Sequence, residues 1–298
     1  MFEFFRNTFA QTRKKDIESM EGSQQQYPVL PPHTVAKAVV VFVQGVPFAD
    51  LEQQHSEGLD RLAQLGCSGR LFPRLLPRDE LGELLQILGI YGSLYDAEGK
   101  GPFLKDDVSF ASLYKKFGSL KLGLLSNDPE VVALGESLRV PVVVHLQSGG
   151  DVEETTRQLA AAQEQVDLAF VHVKATADFP ALALADQLVA RLLTTKENKK
   201  PLVSVIAGHS SPASDEPKPN SKLYYPVQSA AVIDGKTSPL LPAGHLATYY
   251  HEGSTRRDDV QRFTEAEVKS KGANGNIAAE QFVAELAFKL GKTPKYGA

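Results

Sequence analysis

The chain has 298 residues, of which 42% are hydrophobic and 23% charged, and its formal net charge is −4. This composition is typical of a globular protein with a sizeable core, and it lacks the excess positive charge that recruits nucleic acid or an anionic membrane. No apolar run approaches the roughly 18 residues of a membrane span, and the single cysteine, Cys67, excludes an internal disulfide framework. We therefore expect an intracellular protein, cytoplasmic by default, with an organellar or cytoskeletal assembly as the alternative.

The first 34 residues differ in composition from the rest of the chain. Three aromatic residues recur on one helical face, ahead of a basic cluster at 13–15: Phe2, Phe5 and Phe9. Residues 17–34 are rich in glutamine, serine and proline, which predicts an extended linker. We predict a helical arm and linker over 1–34, with the aromatic face docked on another protein subunit. The alternative is a mitochondrial presequence, which would be poor in acids, whereas Glu3 and Asp16 interrupt this segment.

From residue 35 onward, apolar β-branched runs alternate with amphipathic stretches. Strands are predicted at 35–43, 120–125, 140–146, 166–173 and 202–206. Helices are predicted at 57–66, 79–88, 130–138, 152–165, 179–193 and 277–290. This alternation predicts a single α/β domain over 35–298, with a parallel sheet covered on both faces.

Polar segments follow three of the predicted strands. Gln44 follows the first strand, residues 174–178 follow the strand at 166–173, and His209 follows the strand at 202–206. Because ligands collect at the carboxyl ends of strands in open α/β sheets, a site is predicted at this edge. Asp178 is also predicted to cap the helix at 179–193.

Four short segments, in this order, carry a resemblance to a known family. They are Leu-Asp-Arg-Leu-Ala at 59–63, Phe-Val-His-Val-Lys-Ala-Thr at 170–176, His-Ser-Ser-Pro at 209–212 and Lys-Tyr-Gly-Ala at 295–298. They resemble the alkaline phosphatase superfamily and, within it, the archaeal-type cofactor-independent phosphoglycerate mutases. The resemblance implies a three-layer α/β/α sandwich with a mainly parallel sheet. About thirty residues separate Gly92 from the strand at 120–125, too few for the inserted lid domain of the mutases.

The resemblance also implies a site of two divalent metals, with a serine or threonine that carries the phosphoryl group. Aspartates of the family are replaced by Gln44, Ala177 and Gly208. Histidines are replaced by Ala181 and Lys222, and no hydroxyl occurs near Glu80, where the nucleophile is expected. The positions of this vestigial site are Gln44, Glu80, Lys174, Ala177, Ala181, Gly208, His209 and Lys222.

Charge decides how the vestigial site is interpreted. Two clustered divalent cations need several carboxylates to offset their repulsion, and the one retained ligand, His209, is neutral or cationic. We therefore predict no catalytic residue, no metal and no other cofactor. The predicted function is that of a catalytically inactive superfamily member, which serves as a structural or binding subunit of a larger assembly.

Two alternatives stay open from the sequence. One is an active phosphoglycerate mutase or phosphomonoesterase with relocated ligands: either two metals near Gln44, Asp178 and His209, or a single-metal site rebuilt from Asp50, His172, Asp178 and His209. The other is a protein that binds a phosphorylated small molecule without chemistry. Its candidate binding residues are Lys174, Thr176, Asp178, His209 and Ser210.

Overall fold

A computed structural model describes residues 35–73, 80–95, 101–102, 108–147, 150–195, 200–209, 231–233, 236–238 and 244–294. The predicted arm and linker over 1–34 lie outside these residues, as do Ser210 and Lys222. Among the described residues, no helix combines the length and the apolar character that a bilayer crossing requires.

Ten strands are described, and most coincide with β-branched or apolar runs. They are β1 (Ala38–Pro47), β2 (Cys67–Phe72), β3 (Leu122–Ser126), β4 (Val142–His145), β5 (Leu168–Lys174), β6 (Leu202–His209), β7 (Ala231–Ile233), β8 (Lys236–Ser238), β9 (His245–Tyr250) and β10 (Gly275–Ala278). The described α-helices are α1 (Phe48–Gln53), α2 (Glu57–Leu65), α3 (Glu80–Ile87), α4 (Tyr91–Leu94), α5 (Phe110–Tyr114), α6 (Pro129–Ser137), α7 (Val152–Gln165), α8 (Ala181–Thr194), α9 (Glu265–Lys271) and α10 (Phe282–Lys289).

Eight of the described strands form one sheet in the order β10-β2-β9-β6-β1-β5-β3-β4. Strand β1 lies inside it and pairs in parallel with both β5 and β6. Strand β9 runs antiparallel to its neighbours β2 and β6. The predicted, mainly parallel sheet is confirmed, and the parallel strands β1, β3, β5 and β6 all end at one edge.

The core lies on both faces of this sheet, because side chains alternate along each strand. Val40 and Phe42 of β1 pack into one hydrophobic cluster, with α3, α4, α5, α6 and α10. Val39 and Val41 pack into a second cluster on the opposite face, with α1, α2, α7, α8 and α9. Each fully buried side chain of this size contributes about 1.5–3 kcal/mol. The three-layer α/β/α sandwich is thereby explained by the period-two burial of its central strands.

The segment between α4 and β3, where the mutases carry a lid, contributes to the core in its described residues. Phe110 and Tyr114 of α5 and Phe117 of the following 3₁₀ turn are buried in the cluster on the α3 face. The Tyr114 hydroxyl donates to the carbonyl of Leu88, the residue after α3, at 3.0 Å, which fixes α5 beside the end of α3.

Two predictions about helices were wrong. The helix predicted at 277–290 begins only at Phe282, because Ile277 lies in β10 and pairs with Leu71 of β2. Phe282 and Leu286 share a helical face at a spacing of four, whereas Ile277 is out of phase with them. Asp178 does not cap α8: the N-cap is Pro180, and the preceding turn bridges Thr176 to Phe179.

Candidate functional site

The carboxyl edge of the sheet brings together polar residues from three neighbouring strands. Gln44 of β1 pairs with Lys174 of β5, and Ser126 of β3 pairs with His172 of β5. Three of these four residues, Gln44, Ser126 and His172, are buried. Because buried polar groups are costly unless hydrogen-bonded, the partners of these side chains define what the edge does chemically.

His172 is the centre of a hydrogen-bonded chain across the sheet. Its Nδ1 lies 2.8 Å from Ser126 Oγ and its Nε2 lies 2.8 Å from Gln44 Oε1. The Gln44 amide nitrogen donates to the Glu80 carbonyl at 2.8 Å and to Glu83 Oε2 at 2.5 Å, which leaves Gln44 Oε1 as the acceptor. His172 Nε2 therefore donates and Nδ1 accepts, as in a neutral imidazole. Burial lowers the pKa of His172 to about 4, in agreement with this form.

Glu83 of α3 extends this hydrogen-bonded chain from β1 to His245 of β9. Its Oε1 lies 3.0 Å from His245 Nε2, and His245 Nδ1 lies 2.7 Å from the Gly208 carbonyl. Both ring nitrogens of His245 face acceptors, an arrangement that the protonated imidazolium satisfies. Burial alone would raise the pKa of Glu83, but the His245 hydrogen bond and charge, together with the Gln44 amide, outweigh it and lower that pKa. We call Gln44, Glu83, Ser126, His172 and His245 the edge network.

Lys174 forms a second polar group beside the edge network. Its Nζ lies 2.5 Å from Glu80 Oε2 and 3.0 Å from Asp128 Oδ2. Its backbone is fixed by Asn127, whose side chain accepts from Lys174 N at 2.7 Å and donates to Lys174 O at 2.9 Å. The hydrogen bonds to Glu80 and Asp128 raise the pKa of Lys174. We call Lys174, Glu80 and Asp128 the lysine bridge.

Asp128 connects the lysine bridge to helix α6. Its side chain accepts from Glu130 N at 2.9 Å and is the N-cap of α6, with Pro129 as the first helical residue. Burial would raise the pKa of Asp128, but the hydrogen bonds from Lys174 and Glu130 N and the Lys174 charge lower it. The Asp128 carboxylate is therefore already engaged by two donors of the protein, Lys174 Nζ and Glu130 N.

Gly208 shows most directly why a metal-binding aspartate does not fit this edge. Its φ is +74°, a conformation that favours glycine, and a Cβ built there would lie 2.5 Å from the Phe48 ring. The same Cβ would lie 2.7 Å from Leu51 Cδ1. Helix α1 thus fills the space that a side chain at position 208 would need.

The other vestigial positions described either have side chains that cannot ligate a metal or, at His209, have a ring nitrogen that contacts the backbone. Ala177 is exposed at the turn after β5, and Ala181 is buried as the first residue of α8. His209, the last residue of β6, directs Nδ1 to the Val46 carbonyl at 3.1 Å. Thr176 and Asp178 are exposed.

The residues present do not fit two divalent metals. Their carboxylates and imidazoles are already hydrogen-bonded to each other, and an ammonium lies between Glu80 and Asp128. Over the described parts of the chain, no cluster of three or more His, Cys, Asp or Glu side chains has an arrangement that could hold a metal ion. The single-metal alternative is likewise not assembled, because both ring nitrogens of His172 face protein groups and Asp50 is exposed on α1.

Sequence reasoning placed Gln44, Glu80, Lys174 and His209 at this edge but missed four of the residues that hold it together: Glu83, Ser126, Asp128 and His245. Ser126 and Asp128 follow a predicted strand, which is a usable signal. Glu83 and His245 had none, because α3 and β9 approach the edge only through the tertiary fold.

Comparison with known proteins shows which fold this is. No protein-family model matches the sequence, and no curated protein matches it either. Among solved structures, PH0037 from Pyrococcus horikoshii is similar with a TM-score of 0.58 and 13% identity over 89% of this chain and 99% of that one. The lipoteichoic acid synthase LtaP from Listeria monocytogenes has a TM-score of 0.52 and 10% identity, over 94% of this chain and 78% of that one.

The alkaline phosphatase from the Antarctic bacterium TAB5 is similar as well, with a TM-score of 0.50 and 9% identity. The match covers 87% of this chain and 99% of the phosphatase. At these identities the similarity concerns the fold. The chain has the fold of the alkaline phosphatase superfamily, in agreement with the resemblance of its sequence.

Proposed function

We propose that this protein is a catalytically inactive relative of alkaline phosphatases and phosphoglycerate mutases, which serves as a structural or binding subunit of a larger assembly. The observation that carries the proposal is the edge network. Side chains at the edge where the superfamily binds its metals are hydrogen-bonded to one another instead of being open to a ligand.

The charges at this edge support the same proposal. Glu83 is balanced by His245, and Glu80 and Asp128 are balanced by Lys174. An ammonium or imidazolium offsets carboxylate charge, but it does not lower the pKa of a nucleophile or bind two phosphoryl oxygens as a metal does. The arrangement therefore stabilises the folded edge without supplying the chemistry of phosphoryl transfer.

Binding of a phosphorylated small molecule is the competing proposal, and the lysine bridge argues against it. A phosphate at Lys174 would have to replace Glu80 and Asp128, which lie 2.5 and 3.0 Å from Nζ. A thermal-shift measurement with 3-phosphoglycerate separates the two proposals, because a ligand at a hundredfold its Kd adds about 2.7 kcal/mol to stability. We expect no shift.

Catalytic activity is tested with the purified full chain after addition of Mn²⁺, Mg²⁺ or Zn²⁺. The substrates are p-nitrophenyl phosphate and phosphoglycerate, and the control is the His209→Ala variant. We expect equal, background turnover for both proteins. Metal-dependent turnover that His209→Ala abolishes would contradict the proposal.

Incorporation into an assembly is tested separately by deletion of residues 1–34. We propose that the aromatic face of this segment binds another subunit. The tagged full chain and the deletion variant are expressed in the native cell, and the mass of the complex that contains each is measured. Loss of the larger complex on deletion is expected, whereas full incorporation of the truncated chain would exclude this segment as the anchor.

A further inference from the structure

A cleft of about 800 Å³ lies between α2 and α8. It opens toward the end of the sheet opposite the edge network, because its lining includes Tyr250, which pairs with Val203 at the start of β6. The volume is in the range of pockets that bind small ligands and peptide side chains, about 300–1,000 Å³. We call it the α2–α8 cleft. Neither the superfamily's chemistry nor the edge network uses it.

The floor of the α2–α8 cleft is apolar. Leu65, Leu193 and Tyr250 line it and are each only partly buried. Leu193 and Tyr250 pack on the core cluster at their inner side, so their outer surfaces are presented on a rigid base. Such a floor suits the aliphatic stem of a ligand, which loses contact with water when it binds.

The rim of the α2–α8 cleft carries balanced charge. Its acidic groups are Glu57, Asp60 and Glu252, and its basic groups are Arg61, Lys200 and Arg262. Lys200 and Glu252 pair at 2.7 Å. A nucleic acid or a phosphorylated metabolite would require an excess of positive charge, which this rim does not have. A ligand with both polar and charged groups, such as a peptide, matches it better.

Asp60 is the feature of the rim that points to a specific group. It is 6% exposed, yet within the described chain its Oδ2 accepts no hydrogen bond. The nearest basic groups are His55 Nδ1 at 3.3 Å and Arg262 Nε at 3.8 Å. A buried carboxylate oxygen without a donor is costly, and such groups call for an explanation.

The His55 side chain beside Asp60 can move, whereas Asp60 itself is fixed. The His55 side chain is 80% exposed, so it is free to move aside. Asp60 Oδ1 accepts from Phe263 N at 2.8 Å. Helix α2 is also locked onto α8, because a Cβ at Gly58 would lie 2.2 Å from the Asp186 carbonyl. The acceptor is therefore held in place, whereas the histidine beside it is free to move.

We propose that the α2–α8 cleft binds a peptide segment of a protein partner and that a basic side chain of this segment donates to Asp60. The stem of that side chain lies on Leu193 and Tyr250 and the charged head replaces His55. A guanidinium supplies a charge-assisted, forked donor to the carboxylate. This inference rests on the proposed binding function and names the surface and the chemistry through which it operates.

The test is a titration of the full chain by isothermal calorimetry with acetyl-Leu-Arg-Leu-amide, acetyl-Leu-Glu-Leu-amide and inorganic phosphate. We expect the arginine peptide to bind saturably at millimolar concentration, at least tenfold tighter than the glutamate peptide. Asp60→Asn should weaken it at least tenfold, since asparagine keeps the acceptor for Phe263 N but loses the charge. His55→Ala should strengthen it, and the exposed Glu136→Gln on α6 is the matched control without effect.

Several results would overturn the inference. They are no saturable binding of the arginine peptide, equal binding of the two peptides, displacement of the arginine peptide by inorganic phosphate, or an unchanged affinity for the arginine peptide in Asp60→Asn. His55→Ala serves as a second variant, because it removes an exposed side chain and leaves the fold intact. The outcome of the turnover assay is independent of this titration. Metal-dependent turnover would contradict inactivity without affecting peptide binding, and absent peptide binding would leave inactivity standing.

Discussion

At the scale of single residues, the carboxyl edge is governed by one side chain that both donates and accepts. Gln44 accepts from His172 and donates to Glu83, so a neutral amide connects a neutral imidazole to a carboxylate. An aspartate at this position, as in the superfamily, would face Glu83 with a second negative charge. Glutamine avoids this second charge and keeps the hydrogen bond to His172 Nε2.

Replacement of Gln44 by methionine, which has a similar volume, should destabilise the protein by about 2–3 kcal/mol. The reason is that His172 Nε2 and Glu83 each lose a buried partner. The measurement is urea unfolding followed by circular dichroism, with Gln165→Met at the exposed end of α7 as the control. Equal stability of Gln44→Met and the wild type would show that the edge network does not stabilise the fold.

Replacement of Lys174 by methionine should cost about 1 kcal/mol, since the lysine bridge is partly exposed and solvent screens it. The pKa of Asp128 lies below its ordinary value of 3.8. Its stabilisation is therefore present above that value and lost as the pH falls through the lower folded-state pKa. The pKa of Lys174 is raised above 10.5, so its contribution persists up to that pH and is lost above it.

The stability difference between the wild type and Lys174→Met should accordingly be present at neutral pH and shrink below pH 3.8. Lys200→Met is the control, because Lys200 pairs with the single carboxylate of Glu252 at similar exposure. If the stability difference between the wild type and Lys174→Met does not change with pH, the ion pairs of Lys174 are not its cause.

At the scale of secondary-structure elements, helix α1 closes the edge that a metal would need. Phe48 and Leu51 of α1 are buried against the end of β6, and Gly208 is accommodated only because it lacks a side chain. This short helix was not predicted, since its six residues are too few for a periodic pattern. A side chain at position 208 would therefore collide with Phe48 and Leu51 whatever its charge.

Gly208→Asp, which restores a carboxylate of the superfamily, should destabilise the protein by about 2–5 kcal/mol through overpacking and left-handed strain. Gly92→Ala is the matched control, because a Cβ at Gly92 meets nothing within 4 Å. Thermal unfolding measures both variants. A Gly208→Asp protein with the same unfolding temperature as the wild type would show that α1 moves to accommodate the side chain without loss of stability.

At the scale of the whole molecule, the sequence indicated the fold better than the site. The β-branched runs at 35–43 and 166–173 predicted central strands that the structure contains as β1 and β5. Strand β9, which runs antiparallel to β2 and β6, was not predicted. The pairing of Glu83 with His245 escaped prediction because these residues meet only when α3 and β9 pack at one edge. Local patterns report burial, whereas side-chain pairing depends on tertiary contacts.

We propose that the carboxyl edge binds its own side chains in place of metals, and direct metal titration tests this proposal best. The full chain is stripped with a chelator, dialysed and titrated with Zn²⁺ and then Mn²⁺ by isothermal calorimetry. We predict no stoichiometric binding at micromolar concentration in either the wild type or the His209→Ala variant. Two equivalents of metal bound by the wild type and lost in His209→Ala would contradict the account.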